Sequence, residues 1–164
     1  MQSYKDLNKI YMDGNIRIDG CKLESLEGCP QHITGGFWCD INKITSLVGG
    51  PQIVDSNYDC RGNQLSSLIG CASHIGGTLF TSGNSLTTLV GIHKIIKSCN
   101  VFYFDAYKIT EGGIGLLLID DLIHISNDEI PFKIILKYLG AGTKGMMACR
   151  AELIETGYEN YAKL

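Results

Sequence analysis

The sequence predicts an α/β fold: a solenoid with a short parallel sheet of about five repeats, closed by an α-helical C-terminal cap. One segment recurs four times at a constant spacing of 21 residues. The chain holds 20 Gly but only three Pro among 164 residues, which is typical of many tight turns. After residue 110 the repeat fades and helical spacing of apolar residues takes over. We therefore divide the chain into a solenoid at 1–110, with a short N-terminal cap, and a helical cap at 111–164.

The repeat is clearest in a segment that runs from an apolar residue to a glycine five positions later. Its four copies begin at Leu23, Ile44, Leu65 and Leu86, and their glycines are Gly28, Gly49, Gly70 and Gly91. A unit of this length cannot bury its own apolar side, so successive units are expected to stack and to pair their strands in parallel. We expect each glycine to hold a turn with positive φ or a close contact between repeats.

The alternation of side chains along each strand predicts which residues face outward. Phe37 and Cys39 belong to apolar columns, so Trp38 and Asp40 must lie on the opposite face. At the 21-residue step the two outward columns are Arg17, Trp38, Asp59, Phe80, Val101 and Asp19, Asp40, Arg61, Ser82, Tyr103. An interior column formed by Ile33, Val54, Ile75 and Ile96 is predicted at the same step.

Polar and sulfur-containing residues also recur. Asn42, Asn63 and Asn84 are expected to form a buried ladder, in which each amide satisfies backbone groups of a turn. Cys39 and Cys60 are predicted to be small interior residues. The seven cysteines are an odd number with no C-x-x-C spacing, and the four histidines are scattered. We expect reduced thiols and no metal site.

The motif Phe37-x-Cys39-x-x-Asn42-x-Ile44 matches the L-x-L-x-x-N/C-x-L core of a leucine-rich repeat. Matching copies begin at Ile16, Tyr58 and Leu79, and a degenerate one begins at Asn100. The sequence therefore resembles the leucine-rich repeat family over residues 12–110. It is most similar to the short Leu-Thr-Ser-Leu-x-Gly-x-Pro repeats of bacteriophage and bacterial proteins. It departs from the general pattern at Ile33, Val54 and Ile75, which stand one place early.

The two ends are expected to cover the open ends of the stack. An N-terminal amphipathic cap would use Leu7, Ile10, Tyr11 and Met12. Residues 111–125 fit either an irregular sixth repeat or a first cap helix. A helix follows, with Asp128 as its N-cap, Pro131 in its first turn and an apolar stripe of Phe132, Ile135, Leu136 and Leu139. A last helix carries Met146, Cys149, Leu153 and Ile154 and stops at Gly157, and residues 158–164 add one turn.

Charge and motif content exclude several function classes. Fourteen Lys and Arg against seventeen Asp and Glu give a net charge of −3, which disfavours broad nucleic-acid binding. No apolar run approaches the ~18–20 residues of a membrane span, and no signal peptide is apparent, so we expect a cytoplasmic protein. Gly112-Gly113-Ile114-Gly115 lacks the Lys and Ser/Thr of a phosphate-binding loop, and Asp120-Asp121 fits a solvated surface. We expect neither an enzyme nor a cofactor.

The outward columns are the strongest candidate for a binding site, because Trp, Tyr and Arg often dominate interface energetics. The predicted partner-binding residues are Arg17, Trp38, Asp40, Asp59, Arg61, Phe80 and Tyr103. Resemblance to phage-type repeats implies a phage-encoded protein that binds a host protein in the host cytoplasm and inhibits or redirects it. One alternative is a protein that sequesters a small molecule or nucleotide signal in a pocket lined by Arg61, Lys94, Lys97, Tyr103 or Lys108. Another is a structural component that forms homo-oligomers.

Overall fold

The computed structural model describes residues 2–7, 11, 12, 14–125 and 129–164, and it shows a mixed α/β fold with a mostly parallel sheet. The strands are β1 (Tyr11–Met12), β2 (Asn15–Arg17), β3 (His32–Ile33), β4 (Phe37–Trp38), β5 (Ile53–Val54), β6 (Tyr58–Asp59), β7 (His74–Phe80), β8 (Thr88–Leu89), β9 (Ser98–Tyr103), β10 (Glu111–Gly112) and β11 (His124–Ile125). The helices are α1 (Ile92–Ile95), α2 (Ile130–Leu136) and α3 (Gly142–Glu155). Short 3-10 helices span Tyr4–Asp6, Ala106–Lys108, Ile114–Leu118 and Glu159–Ala162.

Strand pairing confirms the 21-residue register in the first four copies. Along one row of parallel strands, Ile16 pairs with Phe37, Phe37 with Tyr58, and Tyr58 with Leu79. A second row follows the same step through β3, β5 and β7. At the edge of the first row, β1 pairs with β2 in the antiparallel sense. Equivalent residues of successive copies are therefore direct neighbours.

Beyond β7 the step lengthens, and three predicted columns are wrong at their last members, which are Val101, Tyr103 and Ile96. Phe80 pairs with Tyr103 rather than standing beside Val101, and Ile75 pairs with Cys99 rather than Ile96. The short helix α1 precedes β9, where the earlier copies are extended. A helix advances only about 1.5 Å per residue against about 3.3 Å in a strand, so more residues are needed to return to the sheet.

The asparagine ladder is confirmed and has three members. Asn63 is buried, its Oδ1 accepts the N–H of Ile44 at 3.0 Å, and its Nδ2 donates to the carbonyls of Cys39 at 3.0 Å and Cys60 at 3.1 Å. Asn42 and Asn84 repeat this pattern one copy away on either side. Each amide thus ties its own turn to the preceding copy.

The core is formed by the predicted apolar columns. Phe37 and Tyr58 have no exposed surface, and their rings meet edge to face with centroids 5.1 Å apart. Cys39 and Cys60 are fully buried, as predicted. Burial raises the pKa of both thiols well above the ordinary value, so they remain protonated near neutral pH.

The glycines of the repeat have the predicted backbone. Gly28, Gly49, Gly70 and Gly91 have φ values of 92°, 87°, 87° and 76°. At Gly70 a Cβ would also collide with the backbone nitrogen of Val48 in the preceding copy. Glycine is required there for its conformation and for the close approach of two copies.

One β-branched residue lies in a left-handed conformation. Ile41 has a φ of 53°, and the equivalent residues of the other copies are Gly20, Gly62 and Gly83, with φ of 65°, 60° and 74°. Its side chain is 69% exposed, so little burial compensates for the strain. Such a backbone conformation is a genuine outlier for a β-branched residue.

We expect Ile41→Gly to raise the free energy of unfolding by roughly 0.5–1 kcal/mol. Relief of a left-handed backbone contributes about 1–2 kcal/mol, and the greater freedom of glycine in the unfolded chain offsets roughly half of that. Urea denaturation at unchanged m-value measures the effect. The control is Val48→Gly, at an exposed β-branched residue outside the left-handed region, which should destabilise the protein. If Ile41→Gly and Val48→Gly lowered the free energy of unfolding equally, Ile41 would not be strained.

The sheet continues past residue 110. Residues 111–125 hold three elements. Strand β10 forms a separate two-stranded parallel sheet with β8, a 3-10 helix follows at Ile114–Leu118, and β11 joins the main sheet by pairing in parallel with β9. At the other end Leu7 packs against the core, and Tyr11 and Met12 form a strand, whereas Ile10 lies outside the described residues. Asp128 also lies outside them, and the N-cap of α2 is Glu129 rather than the predicted Asp128.

The C-terminal helices pack on the last strands. Pro131 stands in the first turn of α2, as predicted, and Phe132 is fully buried with its ring 4.9 Å from that of Phe104. In α3, Cys149 and Leu153 are buried as expected. Ile154 is not: it is 52% exposed, because it follows Leu153 by only one residue and so lies on another side of the helix.

The end of the chain returns to the sheet. After Gly157, whose φ is 83°, the 3-10 helix Glu159–Ala162 adds the predicted last turn. There the O–H of Tyr161 donates to the carbonyl of Ile109 at 2.7 Å. Nowhere in the described part of the chain is a helix both long and apolar enough to cross a membrane.

Candidate partner-binding surface

The outward side of the first row of strands carries most of the predicted site residues in one line. Strand pairing sets Arg17 beside Trp38, Trp38 beside Asp59, and Asp59 beside Phe80, with Tyr103 next. We call this line, together with Arg61 and His124, the outer row. Its members are contributed by β2, β4, β6, β7, β9 and β11, apart from Arg61, which follows β6 by two residues.

The outer row begins with an arginine on a tryptophan. The guanidinium carbon of Arg17 lies 4.3 Å from the centroid of the Trp38 ring, which is the geometry of a cation–π contact. The indole also packs over Gly36, where a Cβ would collide with the ring. Trp38 is therefore half-buried and held from two sides.

At the centre of the row the structure corrects the sequence prediction for Asp59. This residue was expected to be exposed, but it is 2% exposed, because Arg61 folds back over it. The carboxylate accepts hydrogen bonds from Arg61 Nε at 3.0 Å, Arg61 Nη2 at 2.6 Å and the backbone N–H of Arg61 at 3.1 Å. Asp59 thus positions the guanidinium, which is the group that reaches solvent.

The row continues from Arg61 through three rings. The guanidinium carbon of Arg61 lies 4.9 Å from the centroid of Phe80. Phe80 and Tyr103 stack with centroids 5.5 Å apart and ring planes at 13°, and the His124 ring lies 6.0 Å from that of Tyr103. Sequence reasoning missed His124, because it left residues 111–125 open between a repeat and a helix.

Acidic groups lie beside this row. Asp40 is half-buried next to Trp38, and burial, followed by the negative charge of Asp59, raises the pKa of its carboxyl above the ordinary value. Asp19 is exposed one copy earlier. The surface therefore presents guanidinium groups and carboxylates in alternation around a line of rings.

No protein-family model, curated protein or solved structure matches this chain. The function must therefore be argued from the geometry of the outer row and from what the rest of the molecule offers.

Three of the basic residues predicted to line a ligand pocket are engaged by other groups of the described structure. Arg61 is engaged by Asp59, the ammonium of Lys97 donates to the carbonyl of His93 at 3.0 Å, and Lys108 pairs with Asp105 at 3.0 Å. Cavities of the described structure include three that lie elsewhere. One lies beside Leu68 and Ile95, and two lie around Arg150 and Leu164. None of these three is lined by Arg61, Lys94, Lys97, Tyr103 or Lys108.

The buried cysteines offer little nucleophilic chemistry. Burial raises the pKa of Cys29 to about 12 and that of Cys99 and Cys149 to about 11. A thiol with such a pKa is almost entirely protonated near neutral pH, and the thiolate is the reactive form. Among the residues that the structure describes, no three His, Cys, Asp or Glu side chains are grouped so that they could hold a metal ion.

Proposed function

We propose that this protein is a non-enzymatic binding module that holds another protein on its outer row. In this proposal the chain is a leucine-rich-repeat-like solenoid of about five repeats over residues 1–110. Residues 111–164 cover its C-terminal end as a helical cap. The repeats supply a stiff scaffold, and the strands supply the contact surface.

The observation that carries the proposal is the stacking within the outer row, which forms two stretches: Arg17 on Trp38, and Arg61 through Phe80 and Tyr103 to His124. Each ring or guanidinium of these two stretches is already held by a neighbour in the free protein. Ordering a side chain on binding costs about 0.5–1.5 kcal/mol, and a preordered row avoids much of that cost. Trp, Tyr and Arg are also the residues that most often dominate protein interfaces.

The charges of the row indicate the chemistry of the partner. The Arg61 side chain is 51% exposed, and its exposed edge is available to a carboxylate. The acidic groups at Asp19 and Asp40 would repel a polyanion, so a protein with both acidic and basic side chains fits better than a nucleic acid. The resemblance to phage-type repeats supports a host protein as the partner, which this module would inhibit or redirect in the host cytoplasm.

The variant Trp38→Ala/Phe80→Ala tests the proposal. Affinity capture from bacterial lysate, quantified by mass spectrometry, should recover a partner with the wild-type protein. We expect the double variant to lose at least about 2 kcal/mol of binding free energy, or roughly 30-fold in affinity, as is typical when two central residues are truncated. The control is Tyr107→Ala, at an aromatic residue that is 71% exposed and lies outside the row.

Specific loss of one captured protein in the double variant, with recovery by the Tyr107 control, is the expected outcome. Capture of the same proteins in the same amounts by all three forms would reject the outer row as the site. Circular dichroism and the urea midpoint establish that the variants remain folded.

A further inference from the structure

We propose that a second copy of this chain binds the solvent-facing side of α3, with the two α3 helices antiparallel about a two-fold axis. This surface is distinct from the outer row, so the inference does not depend on the proposed function. It would make the protein a weak homodimer that presents two outer rows.

Helix α3 has an apolar strip on each of two opposite sides. One strip packs on the protein: Gly145, Cys149 and Leu153 are buried and four residues apart. The other consists of Met147, Ala151 and Ile154, spaced by four and three residues. Met147 is 69% exposed and Ile154 is 52% exposed, so the described protein leaves this strip uncovered.

The exposed strip continues into a groove at the end of the chain, whose lining mixes apolar residues with the charged residues Arg150, Glu159 and Lys163. Ile154, Arg150 and Leu164 line this groove, and Leu164 is 45% exposed. Ala148 and Ala151 lie near the middle of α3, where small side chains let two helices approach closely. A partner helix laid along α3 would therefore cover a contiguous apolar area.

The charges at the two ends of α3 point to an antiparallel copy of the same helix. Lys144 stands in the first turn and Glu155 in the last, and each is exposed without an ion-pair partner among the described residues. Both charges oppose the dipole of their own helix, which favours acidic residues at the N-terminus and basic ones at the C-terminus. The helix is thus unfavourably charged at both ends.

An antiparallel pair centred near Arg150 reverses this disadvantage at the helix ends, and its one unfavourable feature is the approach of the two exposed Arg150 guanidinium groups near the axis, where water screens them. Each Lys144 then lies near the Glu155 of the other copy, and each Met147 lies opposite an Ile154, twice by symmetry. Each charge also faces the helix end that stabilises it. The complementarity belongs to the helix itself, which favours a second copy over an unrelated partner.

The size of the surface sets the expected strength. A helix of 14 residues is roughly 21 Å long, so a pair of such helices falls at or below the small end of stable interfaces. We expect a concentration-dependent dimer with a dissociation constant of about 10–100 µM.

Sedimentation velocity from about 1 µM to about 300 µM, which brackets that range, measures the association. The wild-type protein should shift from monomer to dimer, and Met147→Glu should weaken the dimer at least about tenfold by placing a charge in the strip. The control is Val48→Glu, at an apolar residue that is 60% exposed and far from α3 in sequence, which should dimerise like wild type. A monomer throughout, or a dimer insensitive to Met147→Glu, overturns the proposal.

A charge exchange tests the antiparallel arrangement. Lys144→Glu alone and Glu155→Lys alone each set like charges opposite one another twice, and each should raise the dissociation constant about fivefold or more. The double variant Lys144→Glu/Glu155→Lys should restore the wild-type value. Failure of the double variant to restore it overturns the arrangement. Circular dichroism checks that the helix content is retained in all three.

Discussion

Truncation of Leu68 to alanine should lower the free energy of unfolding by about 2–5 kcal/mol. Leu68 is 3% exposed, and it stands in one interior column between Leu47 and Leu89, which are equally buried. The variant loses the stabilisation that comes from burying the leucine methyl groups. The space they leave would also enlarge a cavity of about 50 Å³ that already borders Leu68. The two neighbouring copies are held by backbone hydrogen bonds, so they cannot close fully over the gap.

The control for Leu68→Ala is Gln64→Ala in the same copy, at an exposed side chain. It should change the free energy of unfolding by no more than about 0.5 kcal/mol. Guanidinium denaturation at unchanged m-value compares the two. If Leu68→Ala proved as mild as Gln64→Ala, the assignment of interior and exterior columns would be refuted.

Replacement of Asn63 by alanine should lower the free energy of unfolding by about 2–4 kcal/mol. The change removes four hydrogen bonds and leaves the N–H of Ile44 and the carbonyls of Cys39, Cys60 and Arg61 without that partner. A buried polar group that loses its partner costs about 1–3 kcal/mol, and the losses are not fully additive. Because the Asn63 amide bonds to backbone groups of two copies, both copies should be destabilised by its loss.

The control for this variant is Asn100→Ala. Among the described residues, the Asn100 side chain makes one hydrogen bond, which is exposed and runs from its Nδ2 to the carbonyl of Gly76 at 2.9 Å. Its loss should cost no more than about 1 kcal/mol. Hydrogen exchange adds a local readout, in which the Ile44 amide should lose protection in Asn63→Ala and keep it in Asn100→Ala. Equal destabilisation by Asn63→Ala and Asn100→Ala would show that the buried asparagine ladder contributes no more to stability than an exposed hydrogen bond.

The sequence predicted the interior columns and the asparagine ladder because a constant spacing transfers each role from one copy to the next. Leu47, Asn63 and Gly70 occupy the positions that the 21-residue step assigns to them. The same step failed after α1, where a helical segment changes the number of residues per copy. Tyr103 therefore follows Phe80, and no sequence count anticipates that shift.

One feature of the candidate site depends on a contact that a pattern of alternation does not contain. Alternation places Asp59 on the outer side of its strand, yet only the structure shows that Arg61 covers it. Ile41 is different, because an isoleucine where the other copies have Gly20, Gly62 and Gly83 is visible in the sequence itself. The strain at this position could have been inferred from that comparison.

The constant register of the first four copies also governs how the chain can change in length. Ile16, Phe37, Tyr58 and Leu79 each pair with the equivalent residue one copy away. Duplication or deletion of a whole 21-residue unit therefore leaves every remaining strand with a neighbour of the kind it had before. Such a duplication or deletion lengthens or shortens the outer row by one strand and leaves the N-terminal and C-terminal segments of the chain unchanged. The length of the outer row can therefore change in steps of one copy, provided that the inserted or deleted units lie before α1.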